Sequence, residues 1–163
     1  MSLMTIEKWA YALATVLGYA LLCGAIAWQH RQRVNAMQRQ AAALGPASAG
    51  VPAWWVVYAS QTGQAESLAL QAAQALHKSG VSVRLAALGQ VTASDLQGAD
   101  RLLCIASTYG EGDPPDGAAA FARHVMAVEG ASLAHLRVGL LALGDKAYAH
   151  YCGFGRRLDR WFA

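Results

Sequence analysis

The apolar run Trp54–Ala59 leads without a break into Ser60-Gln61-Thr62-Gly63-Gln64-Ala65-Glu66, and a helical pattern follows from Ser67 to Ser79. A strand that turns through Ser, Thr and Gly straight into a helix leaves several backbone N–H groups at the positive end of that helix, where an anion settles. The stretch therefore reads as a phosphate cradle. It lacks the lysine of the G-x-x-x-x-G-K-[ST] nucleotide loop, so hydroxyls and main-chain N–H groups must hold the phosphate without a cation or an obligatory metal. Nucleoside triphosphate hydrolysis is disfavoured. The competing reading of the same residues is a plain helix N-cap.

Three more strand-like runs follow, Val81–Ala87, Arg101–Ser107 and Arg137–Leu143, each separated from the last by helical or turn segments. Trp54–Ala59 and Leu102–Ala106 are nearly continuous apolar runs, as expected of parallel strands covered on both faces, whereas Val81–Leu85 alternates like a more exposed strand. This order of elements implies a doubly wound α/β sheet. The first helix should bury Leu68, Ala69, Ala72 and Leu76, end on His77-Lys78 and stop at Gly80. Thr92 or Ser94 can cap a short second helix; Pro114-Pro115-Asp116 opens a third, lined inside by Phe121, Val125 and Val128. Ligands of such sheets sit beyond the C-terminal strand ends. Three of those ends are chemically unusual: Ser60–Glu66, Ser107–Asp116 and Gly144–Gly155.

The 163 residues allow an appendage to such a domain, and a 55% hydrophobic content points to where it lies. Trp9–Trp28 carries no charge over about 20 residues, long enough to cross a bilayer. Trp9, Tyr11 and Trp28 lie near its ends, and His30, Arg31, Arg33 and Arg39 follow it, so the positive-inside rule places the N-terminus outside and the main domain in the cytoplasm. A cleaved signal peptide ending near Ala25-Ile26-Ala27 is the alternative; its charge would lie on the wrong side of the apolar run. Ala10, Ala14 and Gly18 form a small-residue stripe suited to another helix. The expected organisation is an extracytoplasmic N-terminus (1–8), a transmembrane helix (9–28), a juxtamembrane helix and linker (29–53, with the break at Gly45–Pro52) and the α/β domain (54–163). The expected location is the inner membrane, single-pass.

Charge supports the same division. Four Lys/Arg and one acid precede Trp54, while nine of each follow, so the whole net charge of +3 is juxtamembrane and the main domain has no basic track for nucleic acid. Cys23, Cys104 and Cys152 form no CxxC and no even set, which excludes a disulfide framework and a zinc site of that kind. Cys104 reads as a small core residue.

Taken together, S-x-T-G-x-x-E, S-T-Y-G-E-G-D-P-P-D and L-G-D-x-x-Y-x-x-x-C resemble, in order and spacing, the FMN-binding, flavodoxin-like domain of diflavin reductases such as cytochrome P-450 reductase and the sulfite reductase flavoprotein. The resemblance covers Trp54 to Ala163. It implies that Ser60, Gln61, Thr62, Gly63, Gln64 and Ala65 wrap the FMN phosphate. It further implies that Ser107, Thr108, Tyr109 and Gly110 form a second wall, with Tyr109 on one face of the flavin ring and Tyr148 on the other. By the same resemblance Leu143, Gly144 and Asp145, which follow the fourth strand, are expected among the cofactor-binding residues, and His150, Tyr151, Cys152 and Gly153 are expected to curl toward the ribityl chain and ring edge, as in relatives. Stacking of this kind holds a planar ring by area and quadrupole, without covalent attachment.

By the same resemblance the carbonyl of Gly110 can turn to accept a hydrogen bond from the reduced flavin N5, favouring one-electron chemistry. Glu111, Asp113, Asp116 and Asp145 would place negative charge near the ring, lower its potential and offer a docking rim to a basic acceptor. Asp113 and Asp116 read by default as solvated loop charges, and His150 as a loop residue rather than a metal ligand. No side chain is required as acid, base or nucleophile. A flavodoxin-like sheet has five strands, and the fifth is missing here; the fourth should then be a raw edge. FAD and NADPH belong to a C-terminal module absent from this chain. The implied role is membrane-anchored, relaying single electrons from an FAD/NADPH reductase module, in cis or trans, to a haem or iron–sulfur acceptor. The alternative is a freestanding membrane-tethered flavodoxin, and a third reading is a scaffold that binds no flavin.

Overall fold

The structure, a computed structural model, describes residues 3–42, 54–127 and 133–163. The chain divides into two units, Met1–Gln40 and Ala41–Ala163.

The first unit is one helix, α1 (Leu3–Ala42), of 40 residues. The expected continuation of the helix past Trp28 into the Gln- and Arg-rich stretch is present as far as Ala42; the break expected at Gly45–Pro52 lies outside the described residues. The membrane reading is corrected. Among the described residues no helix is long and apolar enough to cross a membrane, which overturns the single-pass inner-membrane location and the topology drawn from it. Lack of charge is not the same as apolarity. Between Trp9 and Trp28 only Leu13, Val16, Leu17, Leu21, Leu22 and Ile26 are strongly apolar; the remainder are Ala, Gly, Thr, Cys, Tyr and Trp, and such small or amphipathic residues gain much less from leaving water than Leu or Ile.

The second unit is a four-stranded sheet, β1 (Trp54–Ala59), β2 (Val83–Ala87), β3 (Arg101–Ser107) and β4 (Arg137–Leu143), all parallel, in the order β2-β1-β3-β4. Three strands have the expected bounds, while β2 starts two residues after Val81. The reason is the end of helix α2 (Gln64–Lys78). There the Gly80 N–H donates to the His77 carbonyl at 2.9 Å and the Val81 N–H to the Leu76 carbonyl at 3.1 Å, a Schellman closure that takes Val81 out of the strand.

Period-two alternation divides the strands between two cores. Trp55, Val57 and Ala59 of β1 and Leu102, Cys104 and Ala106 of β3 face a core shared with Leu96 of α3 (Ala93–Gln97), Phe121 of α4 (Ala119–His124) and Phe154 and Leu158 of α5 (Gly153–Phe162). Phe121 and Trp161 meet edge to face, with centroids 5.5 Å apart, and burying either large ring contributes roughly 2–3 kcal/mol. On the other face Val56, Val83 and Ile105 pack under Ala65, Ala69 and Ala73 of α2. The buried stripe of α2 is therefore this alanine row with Leu70; Leu68, Ala72 and Leu76 flank it, half-buried. Burial pushes the Cys104 thiol up to about 12, as fits a core residue.

Thr92 caps α3 reciprocally: its Oγ1 accepts from the Asp95 N–H at 3.2 Å and its own N–H donates to Asp95 Oδ2 at 2.9 Å. The Pro114-Pro115-Asp116 turn leads through one 3₁₀ turn, Asp116–Ala118, into α4; Val128 lies outside the described residues. Among the described residues β4 pairs with β3 alone, and it alternates between exposed and half-buried, with Leu141 45% exposed. Among these four strands it forms the raw apolar edge that the sequence led us to expect.

Candidate functional site

β1 is the strand from which the sheet grows both ways, to β2 on one side and β3 on the other. The crevice between β1 and β3 is therefore open beyond their C-terminal ends, because the connections leaving them diverge. Register brings the third loop to the same rim. Ala59 stands beside Ala106, Ser107 beside Leu143, and the Thr108 N–H continues the ladder to the Leu143 carbonyl at 2.9 Å.

A cavity of about 620 Å³ opens there. The first loop contributes Gln61, Thr62 and Gln64 to it, the second Ser107, Thr108, Tyr109 and Gly110, and the third Ala142, Leu143, Gly144, Asp145, Tyr148 and Tyr151. Tyr109 is 53% exposed and Tyr148 44% exposed, so two large aromatic residues stand at the mouth with about half of their surface uncovered. Thr108 Oγ1 is buried without a hydrogen-bond partner among the described residues. A buried hydroxyl left without a partner destabilises by about 1–3 kcal/mol, which a bound polar ligand would relieve.

The first loop is shaped by its own side chains. Ser60 Oγ accepts from the Gly63 N–H at 2.9 Å, and Gly63 takes a left-handed conformation, φ +92°, that lets the chain enter α2. Gly63 is the N-cap residue, and no side chain caps the helix; the plain N-cap reading of Ser60 and Thr62 does not apply, and the first N–H groups of α2 remain available to an anion. Behind the loop, the Tyr58 hydroxyl donates to Glu66 Oε1 at 3.0 Å. Burial first, and then the neighbouring Glu66 carboxylate, push the Tyr58 phenol up to about 12.

Gln61 reaches across to the second loop. Its Nε2 donates to Asp116 Oδ2 at 3.2 Å and its Oε1 accepts from the Asp116 N–H at 3.1 Å. Asp116 is thus a structural partner of the first loop rather than a free solvated charge. Tyr109 and Asp113 close the second loop as a tight turn, the Tyr109 N–H donating to the Asp113 carbonyl and the Asp113 N–H to that of Tyr109, both at 2.9 Å. Gly110 (φ +48°) and Gly112 (φ +118°) lie inside it. In the third loop Asp145 Oδ1 accepts from the Ala147 N–H at 2.9 Å, an Asx turn that aims Tyr148 at the cavity.

Not every sequence-predicted residue lines this cavity. Ser60 and Gly63 shape the loop from behind, and Ala65 is wholly buried under it. Cys152 is buried, is the N-cap residue of α5 and sends its thiol to the Ala142 carbonyl at 3.6 Å. His150 and Gly153 border a separate depression beside Glu111. Ala142, which does line the cavity, was not singled out in the sequence; its signal is its place one residue before the end of β4.

A flavodoxin family model matches residues 56–163. The chain belongs to the flavodoxin family. Its domain is 37% identical over 105 residues to the sulfite reductase [NADPH] flavoprotein alpha-component of Bacillus subtilis (strain 168), covering 64% of this chain and 17% of that protein. The counterpart from Shewanella sp. (strain ANA-3) is 31% identical over 156 residues, covering 96% of this chain and 24% of its own length. The chain thus spans about a fifth of these relatives. Among solved structures, a Streptococcus pneumonia TIGR4 flavodoxin matches with TM-score 0.57 and 30% identity, over 66% of this chain and 72% of that one. A short-chain flavodoxin associated with a PDU bacterial microcompartment matches with TM-score 0.58 and 28% identity, over 69% and 74%. Flavodoxin domains bind FMN, and the relatives are oxidoreductase flavoproteins; this is a flavodoxin-like electron-transfer domain related to the FMN domain of the sulfite reductase flavoprotein.

Proposed function

We propose that this domain holds FMN in the β1/β3 crevice and relays single electrons from an NADPH-dependent reductase module, in cis or in trans, to a haem or iron–sulfur acceptor. The observation that carries the reading is the shape of one cavity: helix N–H groups at one end, two under-used tyrosine rings at the other, and an unpartnered Thr108 hydroxyl in the wall. A flat ring with a phosphorylated tail matches all three. FMN supplies the redox chemistry when bound; the chain's part is to bind and orient it.

In this reading Thr62, Gln64 and the first N–H groups of α2 hold the phosphate, with Ser60, Gly63 and Ala65 setting the shape of that loop. Ser107, Thr108, Leu143, Gly144 and Asp145 line the middle of the cleft. Tyr109 and Tyr148 enclose the ring, with Tyr151 at its border. Gly110, which lines the cavity with a left-handed backbone, would offer its carbonyl to the ring. Purified chain supplied with FMN should turn yellow and quench flavin fluorescence on binding, and the double substitution T62A/Y109A should weaken that binding by at least about a hundredfold. Equal affinity in both proteins would sink the proposal.

The likeness to flavodoxins over 72–74% of their length favours a second reading, a carrier that meets its reductase as a separate protein. Reduction by NADPH when a separate FAD-containing reductase module is added, at a rate proportional to that module's concentration, distinguishes it from a domain that works only when covalently joined.

A further inference from the structure

Beside the tyrosine-walled cavity lies a second depression of about 300 Å³, formed by Glu111 and Gly112 of the second loop, His150, and Gly153, Arg156, Arg157 and Arg160 of α5. The helix buries Phe154, Gly155 and Leu158 against the sheet, which leaves its arginines on the outer side, all three exposed. None is paired: among the described residues the one ion pair is Arg84 with Asp95, at 3.9 Å. Like charges this close on a helix repel, and Glu111 is the one carboxylate lining the depression. An acidic counterpart would relieve that repulsion. Guanidinium groups match carboxylates in a two-bond fork and lose less hydration than ammonium groups on pairing.

The depression and the cavity share a loop. Tyr109 and Gly110 line the cavity, Glu111 and Gly112 the depression. A Cβ added to Gly153 would stand 2.7 Å from the Gly112 Cα, so α5 and the second loop are in direct backbone contact. A partner seated on the arginines therefore comes up against the loop that walls the tyrosine cavity.

We infer that the arginine face of α5 is the docking surface for an acidic face of the protein that exchanges electrons with this domain. The inference rests on the electron-transfer reading, and it reverses the sign expected from Glu111, Asp113, Asp116 and Asp145, one of which is occupied with Gln61. A nucleic acid fits poorly: the charges span little more than one helical turn, no exposed aromatic stands between them, and Glu111 would repel phosphate.

The test uses the full chain, a fluorescein-labelled decaglutamate peptide and fluorescence anisotropy. R156Q/R157Q/R160Q should weaken binding about tenfold and flatten its salt dependence, while K78Q/R123Q/R137Q, which removes equal charge elsewhere, should change it less than about twofold. Equal losses in the two variants would reduce the effect to net charge and overturn the proposal, as would tighter binding of a labelled oligothymidylate of the same length. R157Q alone serves if the triple variant is misfolded by circular dichroism. FMN binding is measured in parallel by absorbance. A chain that takes up FMN yet shows no arginine dependence loses the surface alone; one that binds the peptide through the arginines but takes up no FMN keeps the surface and loses the electron-transfer reading.

Discussion

The first loop, Ser60 to Gly63, is held by side chains: Ser60 to the Gly63 N–H, Gln61 to Asp116 at two points, and Tyr58 to Glu66 behind it. The second, Tyr109 to Asp113, is held by its own main chain, with two left-handed glycines inside the turn. Both wall the same cavity. A loop fixed by three side-chain contacts of different chemistry has one shape, and it suits a ligand group whose position must not vary. A loop of backbone bonds around glycines can reorient a peptide group with little steric resistance, which suits the end of a ligand whose hydrogen bonding changes. In the proposed FMN reading, the contrast puts rigidity at the phosphate end and freedom at the ring end.

Substitutions should separate these two designs. The largest effect is expected at Tyr109, whose exposed ring contributes contact area rather than loop structure. Tyr109→Ala should weaken FMN binding by roughly 3 kcal/mol, about a hundredfold, from lost burial and stacking, with the urea midpoint of the FMN-free protein almost unchanged. A large fall in stability would mean that the ring supports the fold instead.

Gly63→Ala should act the other way. Nothing lies within 4 Å of the added Cβ, so its effect is backbone strain at φ +92°, about 1–2 kcal/mol, visible in the midpoint without any ligand. If the midpoint does not move, the loop relaxes easily and the contrast between the loops fails.

The Gln61–Asp116 bridge is exposed at both ends, and each bond should be worth less than about 1 kcal/mol. Gln61→Leu and Asp116→Ala, measured singly and together as a thermodynamic cycle, should show a coupling of about 0.5–1 kcal/mol in stability. Zero coupling would mean that the two loops stand independently.

How much of this could be read beforehand depends on the range of the interaction. The bounds of β1, β3 and β4 follow from apolar runs, because local burial determines them. β2 starts later than its apolar pattern because the helix before it claims Val81, through the Gly80 N–H bond to His77 and the Val81 N–H bond to Leu76, which periodicity does not register. The gathering of Thr62, Tyr109 and Tyr148 at one rim was legible from three motifs at strand ends. The Gln61–Asp116 bridge was not, since its partners lie 55 residues apart and no local pattern distinguishes a bridging Gln from a solvated one. Trp9–Trp28 misled for a different reason: the absence of charge is easy to see in a sequence, but it does not by itself make a span, and among the described residues no helix is long and apolar enough to cross a membrane.

The effect most specific to the first loop, and the one that shows only as a change with pH, concerns Tyr58. Its phenol is pushed up to about 12 from an ordinary 10 by burial and by Glu66, so the folded state keeps its proton at pH values where the unfolded chain has already released it. Tyr58 therefore contributes stability that is fully present below about pH 10 and is lost as pH rises toward 12. Tyr58→Phe removes the hydrogen bond to Glu66 and should lower stability at pH 8 by about 1 kcal/mol. The variant has no phenol to titrate at this position, so the gap between it and the parent should narrow between pH 10 and 12. Urea midpoints of both proteins at pH 8 and pH 11 measure this directly. A gap of the same size at both pH values would mean that the Tyr58–Glu66 contact does not bolt the strand end to α2, and that the first loop owes its shape to Ser60 and Gln61 alone.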